Sequence, residues 1–274
     1  MEFPPAFVQR MRDQGLDPDS LYSSRTRKSI RFVSRQNPEV AHLVHGLEKV
    51  KWWPSAYWID DVRTFSKKKE FKRGLYYIQD PVSILPVLAM DLKGKILDMC
   101  AAPGTKSVMI SELSGERIFV NDSCASRIRI LEMNLRKYGC NYQLSRKSGL
   151  ELAGRYDSIL VDAPCSGEGM VNKKDKVFSL WSESRVKRLA VRQAELLKHA
   201  CSMLNSGGSV VYSTCTFESE ENESVVECVA KETGTAVEKL SFKNVRYESS
   251  DFGVRIYPWH NNTGGFFIAK LRKE

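Results

Sequence analysis

The sequence lacks any long run of apolar residues. Its longest apolar stretches, such as Ile84–Met90, are far shorter than the roughly 20 residues that a membrane-spanning helix requires. Residues Met1–Pro5 also lack the basic start and the apolar core of a signal peptide. We therefore expect no membrane partner and no secretion. The expected location is cytoplasmic, or nuclear or nucleolar if the source is a eukaryote.

Closely spaced cysteines are missing too. The seven cysteines are an odd number, and no two of them lie within four residues of one another. This spacing excludes the Cys-x-x-Cys pairs of zinc sites and differs from the framework of a disulfide-rich secreted domain. The sequence predicts free thiols and no metal site, so a cysteine with a special role is expected to act as a nucleophile.

Two common nucleotide-binding motifs are absent. In the segment 98–107, DMCAAPGTKS, Met99 stands where a phosphate-binding loop needs its first glycine, and Thr105 separates Gly104 from Lys106. The dinucleotide motif Gly-x-Gly-x-x-Gly does not occur either. The small residues of the segment still let a ligand approach the backbone before a helix begins. An adenosyl ligand without a pyrophosphate is the natural candidate.

Basic residues are in excess, and they are concentrated near the amino terminus. The chain has 42 Lys and Arg against 33 Asp and Glu, a net charge of +9, of which residues 1–73 carry +6. This excess favours a polyanionic partner, although a solvated surface is the alternative interpretation. Two basic runs stand out: Arg25, Arg27, Lys28, Arg31 and Arg35, then Lys67, Lys68, Lys69, Lys72 and Arg73.

From residue 74 onward, short apolar runs alternate with amphipathic segments, which is typical of an α/β domain with a doubly wound sheet. The predicted strands are Lys95–Met99, Arg117–Asn121, Ser158–Asp162 and Ser209–Ser213. The predicted helices are Thr105–Leu113, Cys124–Tyr138 and Glu183–Leu204. Residues 1–73 predict a small basic α+β appendage with a strand at 26–33 and a helix at 38–50. We expect it to pack closely on the domain 74–274, because no long linker separates them.

Polar and cysteine side chains follow these strands, where a doubly wound sheet binds its ligand. Asp122 follows the second strand, and two interpretations stay open: it accepts both ribose hydroxyls of a nucleoside, or it caps the next helix. Cys165 and Cys215 lie after two further strands, in VDAPCSGEG and YSTCTF. A single such cysteine is usually an apolar filler, but two at one sheet edge favour a role at the ligand site.

The motifs DMCAAPGTK, DAPCSGEG and YSTCT, the last followed by EENESVV, resemble the NSUN/Sun (Fmu) family of RNA 5-methylcytosine methyltransferases. GLYYIQDP ahead of the first strand, and RIYP with GGFFIA near the end, add to the resemblance. It is specific over roughly residues 74–272. It is looser over the amino-terminal part, where the Ser29–Arg31 strand and a Trp-rich stretch carry it.

The resemblance implies a class I methyltransferase fold, mostly parallel and Rossmann-like with a C-terminal antiparallel hairpin, and S-adenosyl-L-methionine as cofactor. The family usually places an acidic residue at the adenine amino group, where this sequence offers only Ser148. A lower cofactor affinity or a substituting backbone group would follow, and we expect activity to remain. The implied cofactor-binding residues are Cys100, Ala101, Ala102, Pro103, Gly104, Thr105, Lys106, Asp122, Arg127, Ser148 and Asp162.

The resemblance also assigns catalytic roles. It implies that Cys215 is the nucleophile that adds to carbon 6 of cytosine, and that Cys165 assists release of the methylated base. It places Lys106 beside Asp162, whose carboxylate would hold the protonated ring nitrogen 3. A thiol with a pKa of about 8.5 is only slightly ionised at neutral pH, so Cys215 needs a neighbouring cation or proton acceptor. Lys106 is the expected cation.

These observations predict a cytosine-5 methyltransferase that acts on structured RNA. The basic amino-terminal part, residues 1–73, is expected to bind RNA phosphates, with the run from Arg25 to Arg35 as the contact surface. We expect tRNA, because 274 residues leave room for one catalytic domain and a small appendage. Ribosomal RNA is the alternative, because both branches of the family carry the carboxyl-terminal motif. The competing class is a methyltransferase-fold RNA-binding or assembly factor, against which both retained cysteines argue. A monomer is expected.

Overall fold

The computed structural model describes residues 3–33, 38–170 and 177–274. The strands are β1 Lys28–Phe32, β2 Ala56–Ile59, β3 Tyr76–Gln79, β4 Ile96–Asp98, β5 Ile118–Asn121, β6 Tyr142–Ser145, β7 Tyr156–Asp162, β8 Leu204–Thr214, β9 Ala236–Glu238, β10 Glu248–Ser250, β11 Gly253–Ile256 and β12 Phe266–Arg272. The helices are α1 Pro5–Asp13, α2 Pro18–Ser23, α3 Val62–Lys67, α4 Lys69–Lys72, α5 Leu85–Leu88, α6 Thr105–Ser114, α7 Ala125–Lys137, α8 Glu183–Ser202, α9 Glu223–Thr233 and α10 Pro258–Asn261. Short 3₁₀ helices cover Pro38–Val44, Pro81–Ile84, Gly149–Glu151 and Ser219–Glu221. In these described ranges, every helix is too short or too polar to span a membrane.

The larger sheet confirms the predicted mostly parallel architecture. Its strand order is β10-β11-β12-β8-β7-β4-β5-β6. β9 lies outside this order and pairs with Lys270–Arg272 of β12. The strands from β8 to β6 run parallel, whereas β12 and β11 form the expected antiparallel pair near the carboxyl terminus. The central strands are buried on both faces by two apolar clusters, which explains their nearly continuous apolar sequences.

The order of the parallel strands fixes where a ligand can bind. The chain moves from β4 outward to β5 and β6, then returns to form β7 and β8 on the other side of β4. A crevice opens at such a reversal, beyond the carboxyl ends of β4 and β7. The loop from β4 to α6 borders it and turns at Gly104, whose φ of 104° favours glycine. A Cβ at Gly104 would lie 3.0 Å from the Leu131 side chain.

The amino-terminal part contains a second, antiparallel sheet with the order β2-β1-β3. β3 follows the predicted division at residue 73, so this sheet extends across it. The predicted helix over 38–50 was wrong beyond Val44, because Gly46 adopts a φ of 78° and the chain then turns. Lys49 instead forms a β-bridge with Tyr57.

Arg31 contradicts the expectation that the first basic run forms one phosphate-binding surface. Its side chain is fully buried, and Nη1 forms an ion pair with Glu112 of α6. Residues 29–32 of β1 are buried on both faces of the strand, so a basic residue at this position cannot reach solvent. A buried guanidinium needs a charged partner to offset its lost hydration. Arg31 therefore joins the amino-terminal strand β1 to α6.

Two more members of that run pair with acidic side chains. Arg27 contacts Glu48 and Asp60 at N–O distances of 2.7 and 3.2 Å. Lys28 Nζ lies 3.2 Å from Asp80 Oδ2. Arg27 and Lys28, which we expected to contact RNA phosphates, are thus paired with carboxylates of the protein itself.

The second basic run supplies an exposed basic surface instead. Lys67 ends α3, and Lys69 and Lys72 lie on α4, with all three side chains exposed. Arg25 of the first run is exposed as well, and Arg35 lies outside the described residues. We refer below to Lys67, Lys69 and Lys72 as the α3–α4 lysines.

Replacing Glu112 tests the anchoring role of Arg31. Glu112→Ala removes the carboxylate that pairs with the buried guanidinium, so we expect the free energy of unfolding to fall by about 3 kcal/mol. Urea denaturation measures the change. The control is Glu132→Ala, which removes an exposed pair with Arg136 and should cost no more than about 0.5 kcal/mol. Equal effects of the two substitutions would show that the Arg31 pair anchors nothing.

Candidate active site

A cavity of about 620 Å³ lies at the carboxyl ends of β4, β7 and β8. The loop after β4 contributes Cys100, Ala101, Ala102, Pro103 and Thr105 to its wall. Lys28 and Gln79 of the amino-terminal sheet and Phe266 of β12 close other sides. The cavity is thus built by both parts of the chain, at the point where the strand order predicts a ligand.

Two thiols meet at the edge of this cavity. Cys165 Sγ and Cys215 Sγ lie 3.3 Å apart, and the backbone N–H of Cys215 donates to Cys165 Sγ, also at 3.3 Å. Cys215 lines the cavity, whereas Cys165 does not. The contact with Cys215 and burial together raise the pKa of Cys165 well above its ordinary value. Cys165 is therefore held as a neutral thiol against the sulfur that faces the cavity.

Lys106 and Asp162 form an ion pair in the same wall. Lys106 Nζ lies 2.7 Å from Asp162 Oδ2, and Ser213 Oγ donates to Asp162 Oδ1 at 2.7 Å. The ammonium also lies 5.1 Å from the centre of the Phe266 ring. The structure thus brings Lys106 beside Asp162, as the resemblance implied. Among the described residues, Asp162 is the ion-pair partner of the Lys106 ammonium.

Asp98 also lines the cavity, and the sequence analysis did not include it among the site residues. It is 1% exposed, and Ser107 Oγ donates to Oδ2 at 2.6 Å. Burial, with the charges of Asp162 and Asp122, raises the pKa of Asp98 to about 7, against the Ser107 hydrogen bond and the charge of Lys106, which lower it. Its position at the end of β4 was the signal that could have identified it.

Backbone N–H donors hold the Asp122 side chain against the loop between β4 and α6. Its Oδ2 accepts from the Ala102 N–H at 3.2 Å, and Oδ1 accepts from the Cys124 N–H at 2.9 Å. Arg127 Nη2 lies 3.0 Å from Oδ1. The N-cap residue of α7 is Cys124, without a side-chain cap, so the capping interpretation of Asp122 was wrong. Asp122 instead fixes the loop that forms the cavity wall.

Ser148 lies away from the cavity lining and has another function. Its hydroxyl caps the 3₁₀ helix Gly149–Glu151, accepting from the Leu150 N–H at 3.4 Å. Arg192 Nη2 donates to the same oxygen at 2.9 Å. Gly104, Asp122 and Arg127 are likewise absent from the residues that line the cavity, so the cofactor contact expected of Ser148 stays a prediction. No cluster of His, Cys, Asp and Glu suited to a metal ion occurs in the described part of the chain.

Comparisons with known proteins agree with this geometry. The sequence model of the family described as 16S rRNA methyltransferase RsmB/F matches residues 86–272, and the model of the N-terminal domain of 16S rRNA methyltransferase RsmF matches residues 3–81. The ribosomal RNA small subunit methyltransferase F of Erwinia tasmaniensis is 33% identical, over 99% of this chain and 63% of the relative. That of Serratia proteamaculans is 36% identical, over 83% of this chain and 52% of the relative.

The chain therefore spans roughly half to two thirds of the length of these relatives. Among solved structures, a methyltransferase homolog protein from Pyrococcus horikoshii superimposes with a TM-score of 0.79 at 26% identity. That match covers 99% of this chain and all of the other. It extends over the amino-terminal sheet as well as the larger one.

Proposed function

The chain belongs to the 16S rRNA methyltransferase RsmB/F family, and from this membership we propose that it transfers a methyl group from S-adenosylmethionine to carbon 5 of a cytosine in RNA. The membership confirms the resemblance drawn from the motifs. The observation that carries the proposal is the pair of thiols 3.3 Å apart, at a cavity that also holds the Lys106–Asp162 pair. The names of the relatives favour ribosomal RNA of the small subunit over the tRNA that we preferred from the sequence.

The charges around the cavity suit the proposed cofactor. Three carboxylates, Asp98, Asp122 and Asp162, stand near the loop, whereas Lys106 and Arg127 are each paired with one of them. The third, Asp98, has a pKa of about 7 and is ionised in only part of the molecules at neutral pH, so a ligand with a net positive charge would favour its ionised form. S-adenosylmethionine has such a charge and supplies a methyl group bound to a sulfonium. The small residues Cys100, Ala101 and Ala102 leave room beside the backbone for it.

In the proposed reaction, the Cys215 thiolate would add to carbon 6 of cytosine, and the π electron pair of the carbon 5–carbon 6 bond would move to carbon 5. The bound cofactor would supply the methyl group to carbon 5 as its sulfonium–methyl bond breaks, which leaves S-adenosylhomocysteine. Asp162 keeps the proton on nitrogen 3 and so stabilises the adduct. A base then removes the carbon 5 proton while the carbon 6–sulfur bond breaks, which restores the aromatic ring and frees Cys215. Cys165, 3.3 Å from Cys215, is the thiol placed to assist this second step.

Replacing each cysteine separates the two steps. Cys215→Ala should abolish methyl transfer and leave cofactor binding intact, because the sulfur acts on the base. Cys165→Ala should accumulate a covalent protein–RNA adduct, seen as a slow band on a denaturing gel. The exposed Cys228→Ala serves as the control and should behave as the unmodified protein. Turnover by Cys215→Ala, or the absence of an adduct with normal turnover in Cys165→Ala, would contradict these assignments.

Asp122→Ala tests the cofactor site. Loss of a charged acceptor that fixes the loop should weaken S-adenosylmethionine binding by about 1.5 to 3 kcal/mol, measured by titration calorimetry. Asp17→Ala is the control, because Asp17 caps α2. It should lower thermal stability without changing affinity. If Asp122→Ala behaves in the same way as Asp17→Ala, Asp122 has only a structural role.

We assign RNA phosphate binding to the α3–α4 lysines, because they are exposed and Val62, where α3 begins, lines the cavity. Changing all three to Gln should weaken binding to every RNA tested and flatten the salt dependence of log Kd by about 0.7 to 0.9 for each lost contact. The control changes three exposed lysines elsewhere: Lys187, Lys231 and Lys243. Equal salt slopes for the two triple variants would reduce the α3–α4 lysines to a solvated surface.

A further inference from the structure

A buried polar cluster lies next to the two cysteine turns. It consists of Ser166, Glu168, Gln193, Thr216 and Glu221, each of them 5% exposed or less. Ser166 directly follows Cys165, and Thr216 directly follows Cys215. The two hydroxyl oxygens lie 2.9 Å apart, so the residues that follow the two cysteines are tied to each other.

The hydroxyl of Ser166 contacts more acceptors than it can serve. Its oxygen lies 2.8 Å from Glu168 Oε2, forms a short contact with Glu221 Oε1, and touches Thr216 Oγ1. A hydroxyl has one hydrogen to donate and two lone pairs to accept with. If both carboxylates were ionised, one of them would face an oxygen lone pair without a hydrogen between. The geometry therefore requires a proton on one of the two carboxyl groups.

The contacts of the two carboxyl groups distinguish them. Glu221 accepts from the Ser166 N–H at 3.1 Å and from Gln193 Nε2 at 2.6 Å, in addition to the Ser166 hydroxyl. Three donors suit an ionised carboxylate. Glu168 meets Ser166 through Oε2, while its Oε1 is buried without a partner. A proton on Glu168 can be donated to Ser166 Oγ, which then donates to Glu221.

We propose that Glu168 is a positioning residue that carries a proton in the resting protein, and that the chain Glu168–Ser166–Glu221 holds the turn of Cys165 against the turn of Cys215. The proposal rests on the proposed function, because the proposed reaction is what requires the two sulfurs to be held in contact. Gln193 strengthens the arrangement by also donating to the Pro164 carbonyl at 2.9 Å.

The charges around Glu168 act in the same direction. Burial and then the charge of Glu221 raise the pKa of Glu168 to about 8, against hydrogen bonds from Thr216 and Ser166, which lower it; Glu218 adds a smaller rise. Burial raises the pKa of Glu221 too, but its hydrogen bonds from Ser166 and Gln193 lower it. Glu218 is itself paired with Arg10 at 2.7 Å. Tyr212 donates to the Glu221 carbonyl, and burial keeps the pKa of that phenol far above its ordinary range. Cys165 is held neutral, so it adds no charge near neutral pH.

The experiment compares Glu168→Gln with Glu221→Gln. A carboxamide at 168 still donates a hydrogen to Ser166, whereas one at 221 turns a donor toward groups that are themselves donors. We measure how fast diamide, a thiol oxidant, converts Cys165 and Cys215 into a disulfide, which reports their mutual position without RNA or cofactor. Glu168→Gln should oxidise at the unmodified rate, and Glu221→Gln on the order of tenfold more slowly. The control is Glu132→Gln, which changes a surface ion pair with Arg136 on α7.

Ser166→Ala provides a second variant that removes only one hydroxyl, for use if Glu221→Gln does not fold. It should slow disulfide formation and lower the methyl transfer rate, by up to on the order of 10²-fold if the sulfurs shift by about 1 Å. An unmodified oxidation rate in both Ser166→Ala and Glu221→Gln would overturn the proposal. So would a slow rate in Glu168→Gln with a normal rate in Glu221→Gln.

The pH dependence of stability is an independent readout. Between the ordinary pKa of 4.5 and the folded value of about 8, the folded protein keeps a proton on Glu168 that the unfolded chain releases. Stability from this group therefore falls as pH rises through that window. The midpoint of thermal unfolding should fall from pH 5 to pH 8 in the unmodified protein relative to Glu168→Gln. Parallel curves would exclude the proton on Glu168.

The readouts separate this proposal from the proposed function. If the oxidation rates and the thermal curves behave as expected but no RNA is methylated, the positioning role stands and the assigned reaction fails. If RNA is methylated and the oxidation rates do not differ, the reaction stands and the positioning role of Glu168 fails.

Discussion

The contact between the two sulfurs depends on the register of one pair of strands. β7 and β8 run parallel, and their pairing places Asp162 opposite Ser213 at the carboxyl ends. Cys165 follows three residues after Asp162 and Cys215 two residues after Ser213, so the two turns leave the sheet side by side. A shift of one residue in this register would turn every side chain of one strand to the opposite face. The Ser213–Asp162 hydrogen bond joins the same two strand ends.

The amino-terminal sheet completes the cavity, and its attachment relies on buried charge. Arg31 reaches Glu112 on α6, the helix that begins at the cofactor loop, while Arg10 on α1 pairs with Glu218 beyond the Cys215 turn. Both pairs connect the appendage to segments that form the site. Burying such charges costs desolvation free energy, and the attraction between them offsets that cost only when they meet in the correct geometry. The pairs therefore favour a single arrangement of the two parts. Lys28 and Gln79 are thereby held at the cavity wall.

The strands, helices and cysteine turns of the larger sheet could be predicted because each is specified locally. Apolar runs of strand length alternate with helical periodicity, and the predicted Ser209–Ser213 lies in the carboxyl-terminal half of β8. The basic run of β1 could not be interpreted in this way, because whether Arg31 faces solvent is decided by Glu112 of α6, which lies 81 residues further along the chain. The contact of the Ser148 hydroxyl with Arg192 of α8 could not be predicted for a related reason, because it joins segments that lie 44 residues apart in the sequence. The roles of Glu168 and Glu221 could not be predicted from the sequence, because they depend on the contact of both carboxyl groups with the Ser166 hydroxyl.

Buried polar atoms without partners are concentrated where the proposed chemistry takes place. Asp98 Oδ1, Glu168 Oε1 and Gln193 Oε1 are among them, and all three residues lie at or next to the strand ends that carry the site. Each such atom costs free energy, and proteins tolerate the cost mainly where function requires it. A ligand that binds only the folded state and neutralises part of this carboxylate excess would stabilise the fold through mass action. Asp98 is the one of the three that lines the cavity, so a cation bound there would offset the cost of burying its carboxyl group.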